Sequence, residues 1–115
     1  MQVATDKTGA PTTVTADAGK YDIAVEDRVV GHAYVADRKD QRVFYHTEVD
    51  AEFNGRGLAT ILIEQALAST RDAGKRIVPV CPTVAGVIEK HPEFRDITDP
   101  VTPEIRRWVQ ENATG

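Results

Sequence analysis

A short glycine-containing stretch, Asn54-Gly55-Arg56-Gly57-Leu58-Ala59-Thr60, has the residue types and spacing of an anion-binding loop. It follows a predicted strand over residues 43–49 and precedes a predicted helix over residues 58–73. At such a junction backbone N–H groups point outward, and the helix dipole adds partial positive charge. Gly55 and Gly57 allow a positive φ and a close approach of the backbone to a phosphate, and the arginine between them adds a formal charge.

Other glycine loops need features that this sequence lacks. A dinucleotide fingerprint follows the first strand of its fold and needs an acidic residue about 20 positions later, at the end of the next strand. Here the next strand ends at Cys81 without an acid, and no Gly-Lys-Ser/Thr segment closes a P-loop. Two interpretations of this stretch therefore remain. It is either a phosphate-binding loop of another kind or a plain strand–turn–helix junction that binds nothing, since short glycine motifs are common.

Three strands with short polar connections precede the loop. Each alternates apolar and polar residues with the period of two that a half-buried strand requires. The predicted strands cover residues 21–25, 29–36 and 42–49, with a turn at 26–28 and a hairpin loop at 37–41. Gly31 can mark a bulge in the second strand. Consecutive strands joined in this way form an antiparallel meander.

The first residues of the chain show no comparable pattern. Residues 1–13 are polar and rich in threonine, and we expect a flexible N-terminal tail. Residues 14–16 can add a short edge strand, which makes a meander of three to four strands. The predicted organisation is therefore a tail followed by a single domain over residues 14–115.

The helix after the glycine loop is the most regular element of the sequence. Its apolar stripe comprises Ala59, Leu62, Ile63, Ala66, Leu67, Thr70 and Ala73. Asn54 is a plausible N-terminal cap or pre-cap residue, and Gly74 has the position of a C′ glycine.

An apolar strand over residues 77–81 follows the helix. A crossover through one helix suggests that this strand lies parallel to the strand 42–49. Pro79 within it favours a sheet edge, a bulge or a splayed end. A short helix over residues 84–91 and a loop over residues 92–101 come next.

Thr102 and Pro103 have the types of an N-cap and a first helical residue. They predict a C-terminal helix whose apolar face includes Ile105, Trp108 and Val109.

Size, charge and cysteine content restrict the class of protein. The 115 residues are 41% hydrophobic and 28% charged, as in ordinary soluble globular domains. The net charge of −4 is spread along the chain without a basic block, which argues against nucleic-acid and anionic-membrane partners. Cys81 is the single cysteine, so we expect no intrachain disulfide and no metal. Without a membrane-spanning run or a signal-peptide core, the expected location is cytoplasmic.

Four linked motifs resemble those of one family. They are His46-Thr47-Glu48-Val49, Gly55-Arg56-Gly57-Leu58-Ala59, Pro79-Val80-Cys81-Pro82 and His91-Pro92-Glu93-Phe94. The glycine loop resembles motif A of the GNAT superfamily of N-acetyltransferases, and the full set resembles its small single-domain branch. The resemblance covers roughly residues 21–97 in the same order and spacing.

The resemblance implies a fold and a ligand. The fold is a compact GNAT-like α+β or α/β arrangement of antiparallel meander, helix, parallel strand, helix and C-terminal helix. The ligand is acetyl-coenzyme A as co-substrate, with its pyrophosphate on residues 54–60 and its pantetheine arm between two splayed strands. At the loop end of the strand 43–49, Val49 would offer its backbone N–H to the thioester oxygen.

Acetyl transfer needs a neutral amine, donors for the developing oxyanion and a proton for the departing thiolate. His46 and Glu48 lie two residues apart, on one side of a strand, and are the candidates for deprotonating the amine, directly or through water. Alternatively both side chains simply face solvent. Cys81 would lie near the acetyl group, where it could accept the acetyl, protonate the thiolate, or act only as a small buried hydrophobe. His91 is expected to cap or pack at a helix end.

Three residues depart from the resemblance. Glu52 stands where the superfamily usually has Gln or Arg, Thr83 replaces an aromatic residue, and Phe94 replaces a tyrosine. The last two changes leave the proton donor and the acceptor pocket unassigned.

The resulting hypothesis is an acyltransferase that moves an acetyl group from acetyl-coenzyme A to an amine on a small molecule or a protein. A non-catalytic coenzyme-A-binding sensor or partner module is the alternative, and a plain interaction domain is a third. We expect a monomer or weak homodimer, with a groove that is open or completed by a partner chain.

Overall fold

Six strands form one sheet in chain order, with helices on both of its faces. The computed structural model describes residues 4–112. The elements are β1 (Ala4–Thr5), β2 (Pro11–Asp17), β3 (Lys20–Val25), β4 (Arg28–Arg38), β5 (Gln41–Val49), a 3₁₀ turn (Ala51–Phe53), α1 (Leu58–Asp72), β6 (Arg76–Pro79), α2 (Pro82–Lys90), a 3₁₀ helix (Pro92–Ile97) and α3 (Pro103–Asn112). Neighbours from β1 to β5 are antiparallel, and β6 joins β5 in parallel after the crossover through α1. The predicted α+β order is confirmed, but the antiparallel meander has five strands among the described residues, not the predicted three to four.

The hairpin between β3 and β4 forms as the sequence predicts, at residues 26–28. Glu26 and Asp27 have φ of 50° and 71°. Positive φ at both central residues is the geometry of the primed turns that match the twist of a two-residue hairpin. Arg28, which the sequence left in the turn, is already part of β4.

Two bulges modify the meander. The pairing of β3 with β4 passes from Ile23↔Gly31 to Ala24↔Val29, so the extra residue is Val30, next to the predicted Gly31. The pairing of β4 with β5 passes from Tyr34↔His46 to Val35↔Phe44, which leaves Tyr45 as an extra residue that the sequence did not predict.

The bulge at Tyr45 reverses which residues of β5 face α1. Phe44 belongs to the core under α1, and Val49 packs against the same core. Simple alternation from Phe44 would place residues 46 and 48 on that face too. With one extra residue inserted, Thr47 and Val49 take the core face, and His46 and Glu48 take the opposite one.

The main core lies between α1 and the sheet. The buried residues of α1 are Leu58, Leu62, Ile63, Ala66, Leu67 and Thr70, which matches the predicted stripe except at its ends. A smaller cluster of Val43, Val78 and Ile105 lies on the other face under α3. None of the described helices is long and apolar enough to cross a membrane.

The C-terminal end of α1 is closed as predicted, and its N-terminal end is not. Gly74, with φ of 71°, donates its N–H to Arg71 O (2.9 Å), and the N–H of Lys75 bonds Thr70 O (3.1 Å), which is a Schellman motif. At the other end the N-cap is Gly57, and Asn54 ends the preceding 3₁₀ turn. The prediction of Asn54 as the cap of α1 is therefore wrong.

The last helix begins as predicted. The N–H of Ile105 donates to Thr102 Oγ1 (3.2 Å), and Pro103 is the first helical residue. The loop predicted over residues 92–101 contains a 3₁₀ helix, in which the side chain of Phe94 is buried beneath the Arg71 guanidinium. The prediction of a loop is therefore wrong for residues 92–97. The sequence did not show this 3₁₀ helix, because Arg71, which covers Phe94, is distant from it in sequence.

Residues 4–13 do not form the tail that the sequence predicted over residues 1–13. Residues 4 and 5 pair with residues 12 and 11 of β2, so β1 and not β2 is the edge strand. The intervening turn closes on Asp6, whose buried carboxylate accepts hydrogen bonds from Thr8 Oγ1 (2.6 Å), Thr8 N (2.8 Å) and Ala10 N (3.0 Å). Residues 1–3 lie outside the described residues.

Asp6 should make this segment sensitive to acid. The hydrogen bond from Thr8, with those from Ala10 and Arg56, lowers the pKa of Asp6 to about 2. A folded-state pKa below the unfolded value of about 3.9 stabilises the fold above that pH, and the contribution is lost as pH falls through about 2. Asp6→Asn should therefore lower Tm at pH 7, and the difference from wild type should shrink between pH 4 and pH 2. Circular dichroism melts measure this.

The exposed turn residue Asp40 gives the matched control for that experiment. Asp40→Asn should leave Tm at pH 7 almost unchanged. An Asp6→Asn variant that melts like wild type at pH 7 would contradict the assignment.

Candidate active site

The glycine loop presents an uncovered helix N-terminus. Gly55 and Gly57 have φ of 80° and 76°, a conformation that L side chains rarely adopt. A Cβ added at Gly55 would meet nothing within 4 Å, so the backbone conformation rather than lack of space requires glycine there. The first turn of α1 has no acidic residue and no side-chain cap. Its first N–H groups, which have no intrahelical acceptor, are therefore available to an anion.

A pocket of about 220 Å³ lies between this loop and the end of β5. Seven of the eight predicted cofactor-binding residues line it, together with Phe53: Val49, Asn54, Gly55, Gly57, Leu58, Ala59 and Thr60. A second pocket of about 220 Å³ between α1 and α2 shares Thr60. The two pockets make a groove along the helix ends. A cavity of about 360 Å³ near Ser69 is larger, but no predicted site residue lines it.

Arg56, the eighth predicted residue, does not supply the free positive charge that the sequence suggested. Its Nε donates to Asp6 Oδ2 (2.7 Å), and its guanidinium lies over the ring of Phe53, 4.7 Å from the centroid. The charge is therefore paired inside the protein. The sequence could not show this, because Asp6 lies 50 residues away.

Strands β5 and β6 separate beside the glycine loop. They pair from Gln41↔Arg76 to Phe44↔Pro79, and the N–H of Cys81 then donates to Phe44 O (2.9 Å). Beyond that bond β5 continues to Val49, whereas the chain turns at Cys81 into α2. The strand predicted over residues 77–81 therefore ends two residues early, and Pro79 lies at its splayed end.

The backbone N–H of Val49 points into this gap. Successive peptide groups of a strand point to opposite edges. The N–H of Asp50 donates to Val30 O on the β4 side (2.7 Å), so that of Val49 faces the side where β6 has ended.

Cys81 lies in the gap, at the N-cap of α2, and only 5% of its surface is exposed. Its Sγ is 3.4 Å from Thr47 Oγ1. Burial alone would raise the pKa of the Cys81 thiol, but hydrogen bonds from Thr47 and from the Val84 and Thr83 N–H groups outweigh it, and the pKa is lowered. A lowered pKa at a helix N-terminus is typical of reactive thiols, although such thiols are usually more exposed than Cys81.

His46 and Glu48 lie together as predicted, but on the opposite face of β5 from Cys81. His46 Nε2 is 3.7 Å from Glu48 Oε2, and their side chains are 57% and 51% exposed. The hydrogen bond from the Tyr34 hydroxyl (2.9 Å), assisted by His46 and His32, lowers the pKa of Glu48 and raises the pKa of Tyr34.

Tyr34, Thr47 and an Asp22–His32 pair lie next to the candidate residues and were not predicted from the sequence. His32 Nδ1 is 2.6 Å from Asp22 Oδ1, and the Tyr34 ring lies between His32 and His46 at 5.8 and 5.7 Å. The register places Tyr34 opposite His46 and His32 opposite Glu48. The alternation of residues along β4 could have predicted that His32 and Tyr34 share one face. Their pairing with Glu48 and His46 could not be predicted, because it depends on the bulge at Tyr45.

The other positions on which the family resemblance rests lie in and after α2. His91 Nε2 is 2.6 Å from Glu64 Oε1, so it ties the end of α2 to α1 at the second pocket, in keeping with the expected packing role. Thr83 lines the same pocket, and Phe94 is buried away from it. Within residues 4–112 no group of three His, Cys, Asp or Glu side chains is placed to hold a metal ion.

Comparison with known proteins places this arrangement in one family. A family model for GCN5-related N-acetyl-transferase matches residues 20–97. The NMR solution structure of a GCN5-like protein from Staphylococcus aureus has a TM-score of 0.60 and 17% identity, covering 79% of this chain and 91% of that chain. The crystal structure of the ribosomal-protein-S18-alanine N-acetyltransferase from Escherichia coli has a TM-score of 0.54 and 13% identity, covering 62% of this chain and 49% of that chain. No curated protein matches the sequence.

At these identities the two solved structures show a shared fold, which confirms the GNAT-like architecture expected from the resemblance. The family model adds sequence evidence over more than half of the chain. The chain therefore belongs to the GCN5-related N-acetyltransferase family.

Proposed function

We propose that this N-acetyltransferase takes its acetyl group from acetyl-coenzyme A and passes it to an amine on a small molecule or a protein. The observation that carries the proposal is the gap between β5 and β6, which opens next to the positive-φ glycine loop. One continuous ligand with a phosphate part and a thioester part fits this combination. The phosphates would lie at the loop and the thioester in the gap.

The residues present fit the phosphate part of coenzyme A. Gly55 and Gly57 leave the backbone accessible, and the first turn of α1 offers N–H groups that no side chain caps. A ligand bound there needs few charged side chains, since the N–H groups and the helix dipole supply the positive potential. Glu52, which stands where the superfamily usually has Gln or Arg, is compatible with such a site, because its carboxylate is paired with Arg28.

We assign two groups in the gap to the thioester. The N–H of Val49 would donate to the developing oxyanion, which is the form of transition-state stabilisation that acyl transfer requires. Cys81 would serve the departing sulfur. In direct transfer the amine attacks the thioester, the carbon–sulfur bond breaks, and the Cys81 thiol gives its proton to the coenzyme thiolate.

A covalent route uses the same atoms. The Cys81 thiolate would attack the thioester carbonyl, the carbon–sulfur bond to coenzyme A would break, and the coenzyme thiolate would take up the proton that Cys81 had lost. The amine, deprotonated by the base, would then attack the acetyl group, and its bond to Cys81 would break to return the thiolate. The lowered pKa of Cys81 favours this route, because it increases the fraction of reactive thiolate. Thr47 would hold the sulfur in position in both routes.

We assign deprotonation of the amine to the opposite face of β5. Histidine is the side chain that most often acts as a general base, so His46 is the proposed base. Glu48, whose pKa is lowered by the Tyr34 hydrogen bond, would remain ionised and hold the charged imidazole. In this proposal the amine would reach the acetyl group around the open edge of β5.

A coenzyme-A-binding module without turnover is the second candidate. It is favoured by the burial of Phe94, which brings no hydroxyl to the groove, and by the exposure of His46 and Glu48. This candidate predicts binding of coenzyme A without consumption of acetyl-coenzyme A by any member of a broad amine panel.

Coenzyme A should stabilise the fold through the glycine loop. At about 100 times its Kd, a ligand that binds only the native state contributes about 2.7 kcal/mol, which raises Tm by several degrees for a domain of this size. Gly57→Val should abolish the shift, because a β-branched residue resists the φ of 76° and crowds the loop. Thermal melts with and without coenzyme A measure the effect.

Gly74→Val is the matched control at the other end of α1. It carries a similar backbone strain, with φ of 71° and no neighbour within 4 Å. This variant should be less stable but keep the shift. A Gly57→Val protein that still shifts would remove the loop from the binding site.

Cys81 should react as an activated thiol. Because its pKa is lowered, the rate of alkylation by iodoacetamide should reach half-maximum at a lower pH than for free cysteine, whose pKa is about 8.5. Thr47→Val should move that midpoint to higher pH, and Thr15→Val, at an exposed position of β2, should not. Midpoints that coincide in all three proteins would contradict a role for Thr47.

Mass spectrometry of the wild-type protein distinguishes the direct route from the covalent one. Incubation with acetyl-coenzyme A should add one acetyl group to Cys81, detected by mass spectrometry after denaturation, and none to Cys81→Ala. If the wild-type protein forms no adduct and Cys81→Ala turns over normally, Cys81 has only a structural role.

Removal of the base should lower kcat without affecting coenzyme A. His46→Ala should reduce kcat about 10²–10⁴-fold, the usual contribution of general base catalysis, with little change in Kd for coenzyme A. Glu48→Gln should have a smaller effect, since it removes the partner of the base rather than the base. Steady-state kinetics with an active amine test both, and normal turnover of the two variants would refute the assignment.

A further inference from the structure

The N-terminal segment packs directly on the glycine loop, although it lies outside the region that the family model matches. The backbone N–H of Lys7 donates to Arg56 O (3.0 Å). The Lys7 side chain then runs along Gly57, with its Cε, Cγ and Cδ at 3.4, 3.6 and 3.9 Å from the position a Cβ would take there. Since Nζ is bonded to Cε, the ammonium group lies beside the loop.

The other cations of this region are already paired. Arg56 is held by Asp6, and Arg28 lies 2.5 Å from Glu52 Oε1. Both guanidiniums also cover the Phe53 ring, at 4.7 and 5.4 Å from its centroid. Lys7, by contrast, makes no ion pair within residues 4–112. It is the cation at the loop whose charge is not used by the fold.

The turn that carries Lys7 is fixed on both sides. Asp6 has no exposed side-chain surface and bonds Arg56 and the next residues of the turn. Thr8 bonds both Asp6 and the Arg56 guanidinium (3.2 Å). A residue between two such anchors keeps its backbone place, so a contact with a ligand would cost the ordering of its side chain but not of its backbone.

We propose that Lys7 is a phosphate-binding residue of the coenzyme site, and that the Asp6–Arg56 pair positions it. The ammonium group would contact the pyrophosphate held at Gly57. Arg56, which the sequence suggested for this contact, instead fastens the segment that brings the contacting residue. This inference rests on the proposed use of acetyl-coenzyme A.

A charge-assisted contact of this kind should change affinity by about tenfold. Lys7→Gln removes the charge, keeps most of the side-chain length and leaves the backbone bond to Arg56 in place. Lys39→Gln is the control, since Lys39 lies in the turn between β4 and β5, at the far end of β5 from the loop. Both variants change the net charge equally.

Isothermal titration of the full chain with three probes locates the contact. Coenzyme A carries the pyrophosphate and a 3′-phosphate, dephospho-coenzyme A carries only the pyrophosphate, and pantetheine carries no phosphate. Lys7→Gln should bind the first two about tenfold more weakly than wild type and pantetheine equally well. Lys39→Gln should match wild type with all three, and equal Tm values without ligand would show that Lys7→Gln is folded.

Two results would overturn the inference while leaving the proposed function intact. In one, wild type and Lys7→Gln bind coenzyme A equally well. In the other, the variant loses affinity for coenzyme A but not for dephospho-coenzyme A, which would place Lys7 at the 3′-phosphate. A wild-type protein that binds neither nucleotide would refute the proposed function itself, and the inference with it.

Discussion

The hydrogen bond from the Cys81 N–H to Phe44 O is the contact on which the site depends. It is the last backbone hydrogen bond between β5 and the chain that leaves β6, and beyond it β5 keeps an open edge beside the glycine loop. Unpaired backbone groups at a sheet edge are normally covered or paired, because they attract other chains and lose hydrogen bonds when buried. Here the open edge lies in a groove where a bound ligand can use its N–H groups, so the divergence of two strands creates both the space and the donor.

The bulge at Tyr45 adds the second constraint. It places Thr47 on the same side as Cys81 and sends His46 and Glu48 to the other face, where Tyr34 meets them. Without the extra residue, His46 and Glu48 would point into the apolar core beneath α1, and burying their charges would be costly. The bulge thus keeps the ionisable pair in water and the thiol in a protected gap, on the two sides of one strand.

The sequence predicted what depends on local pattern and missed what depends on distant partners. Element order, the α1 stripe, the Gly74 C-cap and the Thr102 cap follow from residues a few positions apart. The bulge at Tyr45 depends on the register with β4, which no local pattern encodes. The Asp6–Arg56 pair joins residues 50 positions apart, so residues 4–13 resembled a tail and Arg56 a free cation.

The charge of the chain is in keeping with a phosphate part of the candidate site that relies mainly on backbone N–H groups. At a net charge of −4, the protein as a whole would repel a polyanion such as coenzyme A, so long-range attraction would not account for the proposed binding. Backbone N–H groups at a helix N-terminus give local positive potential without adding a formal charge to the chain. The two arginines of this region can therefore take part in packing. Both lie over the Phe53 ring, and they pair with the carboxylates of Asp6 and Glu52. These contacts hold the loop in the conformation that exposes its N–H groups.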